Sequence, residues 1–263
     1  MEIFFRTLLA IYLAHLLSDF VLQSPRLVEQ KRRGKFSSYL LHGFIHYFAA
    51  ILLVGFFVRA SALSVRTYLV LLALAAIHLL LDAAKLRLTN SGLVYEGAFA
   101  YVSDQLIHFL TIVFAAWLLT PGLAFAKLFS LAGLARAMQT KWLAVPVVYI
   151  AIVFGGGYLI RDLTRNLAEG VKSQTPHRGS EQLQNAGLYI GWLERFLVLT
   201  ALLLQSPATV GLILTAKSIA RYPEFKSERF AEYFLIGTLL SISIAILGGI
   251  LLAKLLFGAV RFP

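Results

Sequence analysis

The chain has 263 residues, of which 59% are apolar and only 14% charged, and its mean hydropathy is +0.78. A soluble domain runs nearer about 45–50% apolar and about 25% charged, so an ordinary globule, a disordered chain and a coiled coil are excluded, leaving an all-α integral membrane protein. Its net charge of +11 then belongs to loops that face anionic membrane lipids, with no nucleic-acid partner expected.

A helix needs about 20 apolar residues to cross a hydrocarbon core of about 30 Å. On that scale spans are expected near 3–23, 38–58, 67–88, 100–120, 142–160, 188–206 and 231–257. The architecture is a polytopic helical bundle of about seven spans. The run PATVGLILTAKSIA at 207–220 is too short to cross and reads as an interfacial or re-entrant helix. The first segment lacks a basic leader and a small-residue cleavage site, so it is expected to stay in place as a span.

Loop 24–37 carries Arg26, Lys31, Arg32, Arg33 and Lys35, whereas the loop near 59–66 has only Arg59 and Arg66. Loop 161–187 is basic again, with Arg161, Arg165, Lys172 and Arg178. The positive-inside rule places these basic loops in the cytoplasm. Lys127, Arg136 and Lys141 in the stretch 121–141 weaken the asymmetry in the second half. A change in character there divides the chain into a four-helix transmembrane metal-site bundle, 1–120, and a C-terminal three-span region with the interfacial helix, 121–263.

The six His and four Asp residues are not scattered. Eight of the ten form pairs four apart: His15/Asp19, His42/His46, His78/Asp82 and Asp104/His108. Random placement would give roughly 0.4 such pairs, and this spacing puts two side chains on one helix face a turn apart. The pairs close the first and third spans and open the second and fourth. In an up-and-down bundle all four therefore meet at one membrane face, the cytoplasmic one by the charge rule.

Carboxylates inside a membrane are expensive, about 2.5–3.5 kcal/mol each at a span centre, so the cluster needs a reason. With no cysteine in the chain, the ligands on offer are imidazole nitrogens and carboxylate oxygens. That set suits one or two divalent ions, zinc first, with manganese or iron as alternatives. Two ions about 3.5–4 Å apart would activate water and clamp the oxygens of a displacement. Other readings stand beside it: hydrogen bonds that glue the bundle, a proton relay, or a haem on His42 and His46.

The runs HLLSDFVLQ, KRRGK, LLHGFIH, IHLLLDAAK and SDQLIH resemble an uncharacterised bacterial inner-membrane family catalogued as a domain of unknown function. That family is similar in style to membrane-bound metal-dependent hydrolases. The resemblance covers roughly residues 5–115, and GWLER, KSIAR and EYFLIGTLLS look like a C-terminal extension of some members. It implies His15, Asp19, His42, His46, His78, Asp82, Asp104 and His108 as the shared polar set, and brings no proven activity.

The expected function is a metal-dependent hydrolase at the cytoplasmic leaflet, acting on a lipid or phosphoester. Asp19 and Asp104 are the candidate acid–base residues. Lys31, Arg32, Arg33 and Lys85 are candidates for holding a substrate headgroup, against snorkelling as the plainer reading. A divalent-cation transporter or sensor, and a scaffold with a structural metal, remain open; so do a homo-oligomer and a cytosolic protein partner. Further along, Gln105 and Ser103 are expected to point away from the Asp104 face. Glu194 and Arg195 need separate partners, with Lys217, Arg221 and Glu232 as candidates. Gly155–Gly157 are expected to permit close helix contact, and His177 to be solvated.

Overall fold

The computed structural model describes residues 2–59, 63–123, 141–172 and 186–258. Lys127, Arg136, His177 and Arg178 lie outside these residues. Among the described residues the regular structure is helical throughout, with no strand. Six helical stretches are long and apolar enough to cross a membrane: Glu2–Phe20, Phe36–Phe57, Val65–Asn90, Ala98–Leu118, Trp142–Leu163 and Glu228–Phe257. The remaining expected span is the 18-residue helix Ala186–Leu203, and the run at 207–220 is the 13-residue helix Ala208–Ala220. The chain thus folds as a multi-pass helical bundle. It comprises two compact units, Met1–Val147 and Val148–Pro263, whose boundary falls inside the fifth stretch.

The first unit holds α1 (Glu2–Phe20), α2 (Pro25–Arg32), α3 (Phe36–Phe57), α4 (Val65–Asn90) and α5 (Ala98–Leu118). α1 packs on α3 and α5, α3 on α4, and α4 on α5. The four long helices therefore close into a ring. α1 is the most enclosed, with 56% of its apolar window buried against 17% for α4 and α5. The others turn Phe44, Phe48, Leu69, Leu72, Leu110 and Phe114 outward, as helices facing lipid tails do.

The short α2 is set by its ends. Ser24 caps it by accepting from the Leu27 amide, and Pro25 occupies the first turn, where a missing N–H is harmless. Gly34, at φ +72, reverses the chain into α3 through a left-handed conformation that side chains resist. α2 is thereby folded back onto α3, with Leu27 as its buried anchor.

The fifth stretch runs as α6 (Lys141–Ile150), which crosses the unit boundary, then a π-helical turn at Ala151–Gly155 and α7 (Gly156–Leu163) in the second unit. It is followed by α8 (Arg165–Lys172), α9 (Ala186–Leu203), α10 (Ala208–Ala220) and α11 (Glu228–Phe257). α9 and α11 form the spine of this unit around Val198, Leu202 and Ala245. Ser227 caps α11 by accepting from the Phe230 amide.

Candidate metal centre

Each paired motif sits where the sequence places it: His15 and Asp19 end α1, His42 and His46 begin α3, His78 and Asp82 lie on the second half of α4, and Asp104 and His108 begin α5. Because neighbouring helices in the ring run in opposite senses, these stretches share one end of the bundle. The i, i+4 spacing aims both members of each pair at the interior. All five imidazoles are buried, from 0% exposed at His42 to 7% at His46.

The side chains converge. Asp19 Oδ1 lies 2.9 Å from His46 Nε2, 3.3 Å from His42 Nε2 and 3.6 Å from His78 Nε2. Asp19 Oδ2 is 3.7 Å from His15 Nε2. Asp82 reaches His42 and His78 with one oxygen, at 3.6 and 3.7 Å, and His108 Nε2 with the other, at 3.8 Å. The rings of His46 and His78 stack with centroids 3.8 Å apart, and those of His15 and His108 at 5.2 Å. All eight expected ligands thus belong to one cluster.

Three sets of donors within it can hold a metal ion: His15, Asp19, His46 and His78; His42, His78 and Asp82; and Asp82, Asp104 and His108, with ligand atoms no more than 4.8 Å apart in each. Two observations test the fit. The Nε2 atoms of His15 and His108 are buried without a hydrogen-bond partner, a costly state for a polar atom unless something else engages it. Moreover, His108 Nδ1 donates to the Asp104 carbonyl oxygen at 2.8 Å, which leaves the Nε2 lone pair bare toward the cluster, as a ligating histidine requires. The donor set fits a borderline divalent cation.

The two sides of the cluster differ in character. One is a cavity of about 20 Å³, lined by Ile11, Leu71, Leu74, Ile112 and Thr111 together with four of the histidines. It has room for about one water molecule or ion. The other side carries the cations. Lys31 Nζ is 2.6 Å from Asp82 Oδ2 and Lys85 Nζ 2.9 Å from Asp104 Oδ2. Of the four basic residues expected to hold a headgroup, these two reach the centre. Arg32 instead faces Glu96 at 3.7 Å, and Arg33, just past the end of α2, bonds Glu29 of that helix at 2.8 Å.

Some contacts were not foreseen from the pattern. Gln105, expected to point away from the Asp104 face, instead brings its amide 3.4 Å from Asp104 Oδ2. The Gln23 amide sits 3.5 Å from His42 Nδ1. Tyr12, a turn before His15, stacks on that ring with centroids 6.2 Å apart. Thr111 donates its hydroxyl to the His108 carbonyl at 2.7 Å. Both latter residues stand three positions from a histidine, the one signal the sequence offered.

The second unit has a polar cluster of its own, on α9. Glu194 binds Lys217 of α10 at 2.6 Å, as expected of an ion pair that docks the short helix. Arg195 has other partners than Glu232, the one acid among the candidates. Its Nε and Nη2 donate to the Val153 carbonyl at 3.0 and 2.8 Å, and its Nη1 to Ser241 Oγ at 3.2 Å. Val153 lies in the π-helical turn, where the irregular ladder leaves an acceptor available to an outside donor. Glu232 is exposed and Arg221 bonds Glu224 at 2.8 Å. A side chain on Gly157 would meet Arg195 Nη2 at 2.6 Å and Trp192 Nε1 at 3.0 Å, so this glycine does permit close helix contact.

The model of the DUF3307 family, described as a protein of unknown function, matches residues 7–161. That range takes in all eight residues of the centre. No curated protein and no solved structure matches the chain.

Proposed function

The chain belongs to the DUF3307 family, whose function is unknown, and from the geometry of the centre we propose a membrane-embedded, metal-dependent hydrolase of the bacterial inner membrane that acts on a lipid or other phosphoester at the cytoplasmic leaflet. The observation that carries this reading is the division of the donors. His15, Asp19, His46 and His78 would hold one ion with four donors, and Asp82, Asp104 and His108 a second with three, one fewer than a closed tetrahedral shell, while His42 reaches both groups through His78 and Asp82. Zinc suits both sets best, with manganese and iron as alternatives. An ion bound there supplies Lewis acidity and lowers the pKa of a coordinated water.

The chain's own residues supply the rest. The bond from His108 Nδ1 to the Asp104 carbonyl orients that imidazole. Asp104, one of the three-donor set, and Asp19, at the junction of the imidazoles, would accept or return a proton through the carboxylate oxygen left free of an ion. Lys31 and Lys85 place positive charge at the polar side of the centre, against the negative charge of a phosphoester. Ile11, Leu71, Leu74 and Ile112 make the lining of the other side mostly apolar, which favours hydrolysis over transport, since a carried ion needs a polar route onward.

Purified protein reconstituted with zinc or manganese and given phosphatidic acid and a soluble phosphomonoester tests this. Release of inorganic phosphate that is lost in Asp104→Asn supports the reading. Full metal loading with no turnover of either compound, accompanied by zinc uptake into proteoliposomes, overturns it in favour of transport.

A further inference from the structure

The three carboxylates of the centre are not equally engaged. Asp19 is approached by imidazoles, whereas Asp82 and Asp104 are each neutralised by an ammonium group. The oxygen of Asp82 that Lys31 grips at 2.6 Å is the one that faces His42 and His78. Lys31 therefore stands where a cation of that donor set would meet its carboxylate. Two positive charges on one oxygen repel strongly in a poorly hydrated site. A cation joining Asp82, Asp104 and His108 draws on the same two carboxylates, through the oxygens that face His108, so it competes with the lysines for their negative charge, and the lysines then need another anion.

The charge balance names that anion. Lys31 with Asp82 and Lys85 with Asp104 are neutral pairs, so a divalent cation added alone leaves two uncompensated positive charges inside the bundle. Burying such an excess is costly. A phosphate monoester brings close to two negative charges and three terminal oxygens, enough to receive both ammonium groups and restore neutrality. A phosphodiester or a carboxylate brings only one negative charge. Access is open on this side, since the Lys85 side chain is 42% exposed.

We propose that Lys31 and Lys85 are a phosphate-binding pair that exchanges Asp82 and Asp104 for a dianionic phosphate group, so that this phosphate and a cation at Asp82, Asp104 and His108 bind together. The inference rests on the metal reading above and sharpens its substrate class to phosphate monoesters. Because linkage is reciprocal, each ligand must tighten the other by the same factor.

The test is a manganese titration of the full-length protein in detergent, counting free ion by electron paramagnetic resonance, with and without inorganic phosphate. One manganese is expected to bind without phosphate. A second should bind about tenfold tighter or more when phosphate is present, within the usual range of coupling. In Lys31→Met and Lys85→Met the second ion should bind without phosphate and the coupling should vanish, while the first ion, still bound, reports that the bundle is folded. Nanodiscs containing phosphatidic acid, compared with pure phosphatidylcholine, distinguish the source. Coupling in the lipid arm assigns a lipid headgroup, and coupling with inorganic phosphate alone assigns a soluble ester. A second manganese whose affinity is the same with and without either phosphate overturns the inference and leaves the metal centre standing. A protein that binds no manganese or zinc overturns both.

Discussion

Nε2 of His42 and Nε2 of His78 face each other at 3.1 Å across the α3–α4 contact. Two imidazoles at that distance either share one proton or turn their lone pairs toward a common cation. The approach depends on the residue beside His42. A Cβ on Gly43 would lie 2.6 Å from Leu79 Cδ1 and 3.3 Å from its Cγ, so only glycine lets the two helices close to this separation without displacing Leu79.

Gly43→Val is therefore expected to loosen the centre without removing any ligand. Pushing α3 from α4 separates His42 from His78, and metal affinity should fall about 10–100-fold, as when a supporting contact around a metal site is lost. Leu79→Ala in the same chain makes room for the new side chain and should restore most of the affinity. A double-mutant cycle of manganese dissociation constants checks the coupling, and additive effects of the two changes would deny it.

Acid should empty the site. Imidazole and carboxyl groups ligate only when deprotonated, so protons compete with the metal and are released as it binds. Affinity is expected to fall steadily as pH is lowered. Calorimetric titrations in buffers of different ionisation enthalpy count the released protons, and a count of zero at neutral and mildly acid pH would contradict histidine ligation.

Arg195 should prove structural. Its removal orphans the Val153 carbonyl in the π-helical turn and the Ser241 hydroxyl. Arg195→Met is expected to destabilise the second unit by about 1–3 kcal/mol for each buried group left unmet. Denaturant unfolding in detergent micelles measures this, and an unchanged midpoint would show that the π turn does not need its donor.

The Glu194–Lys217 pair gives a sharper contrast. Glu194 is 4% exposed and Lys217 20%, so Lys217→Met strands a buried carboxylate, at a cost of about 3–5 kcal/mol. Adding Glu194→Gln removes the stranded charge and should recover most of the loss. A double variant as unstable as the single one would mean that Lys217 matters for packing rather than for charge.

The convergence of the eight His and Asp side chains was legible because it follows from helix periodicity and chain reversal alone. Residues four apart share a face, and ends and beginnings of successive spans share a membrane side, whatever the packing detail. The partners of Lys31 and Lys85 were less legible. A basic loop has the same composition whether its ammonium groups face water or, as with Lys31, reach a carboxylate 51 positions along the chain. Arg195 was harder still, since its main acceptor is a backbone carbonyl exposed by a π turn, which no count of acidic side chains can find. The boundary of the two units at Val147/Val148 falls within a continuous apolar stretch, where hydropathy carries no mark of it.

The most direct test of the centre is the metal content of the purified protein, wild type beside His42→Ala and Asp82→Ala, by mass spectrometry after growth with zinc or manganese supplied. The account predicts one or two ions per wild-type chain and a clear loss in both variants. Wild-type protein with well below one ion per chain in every preparation would contradict it, as would variants that retain the full complement.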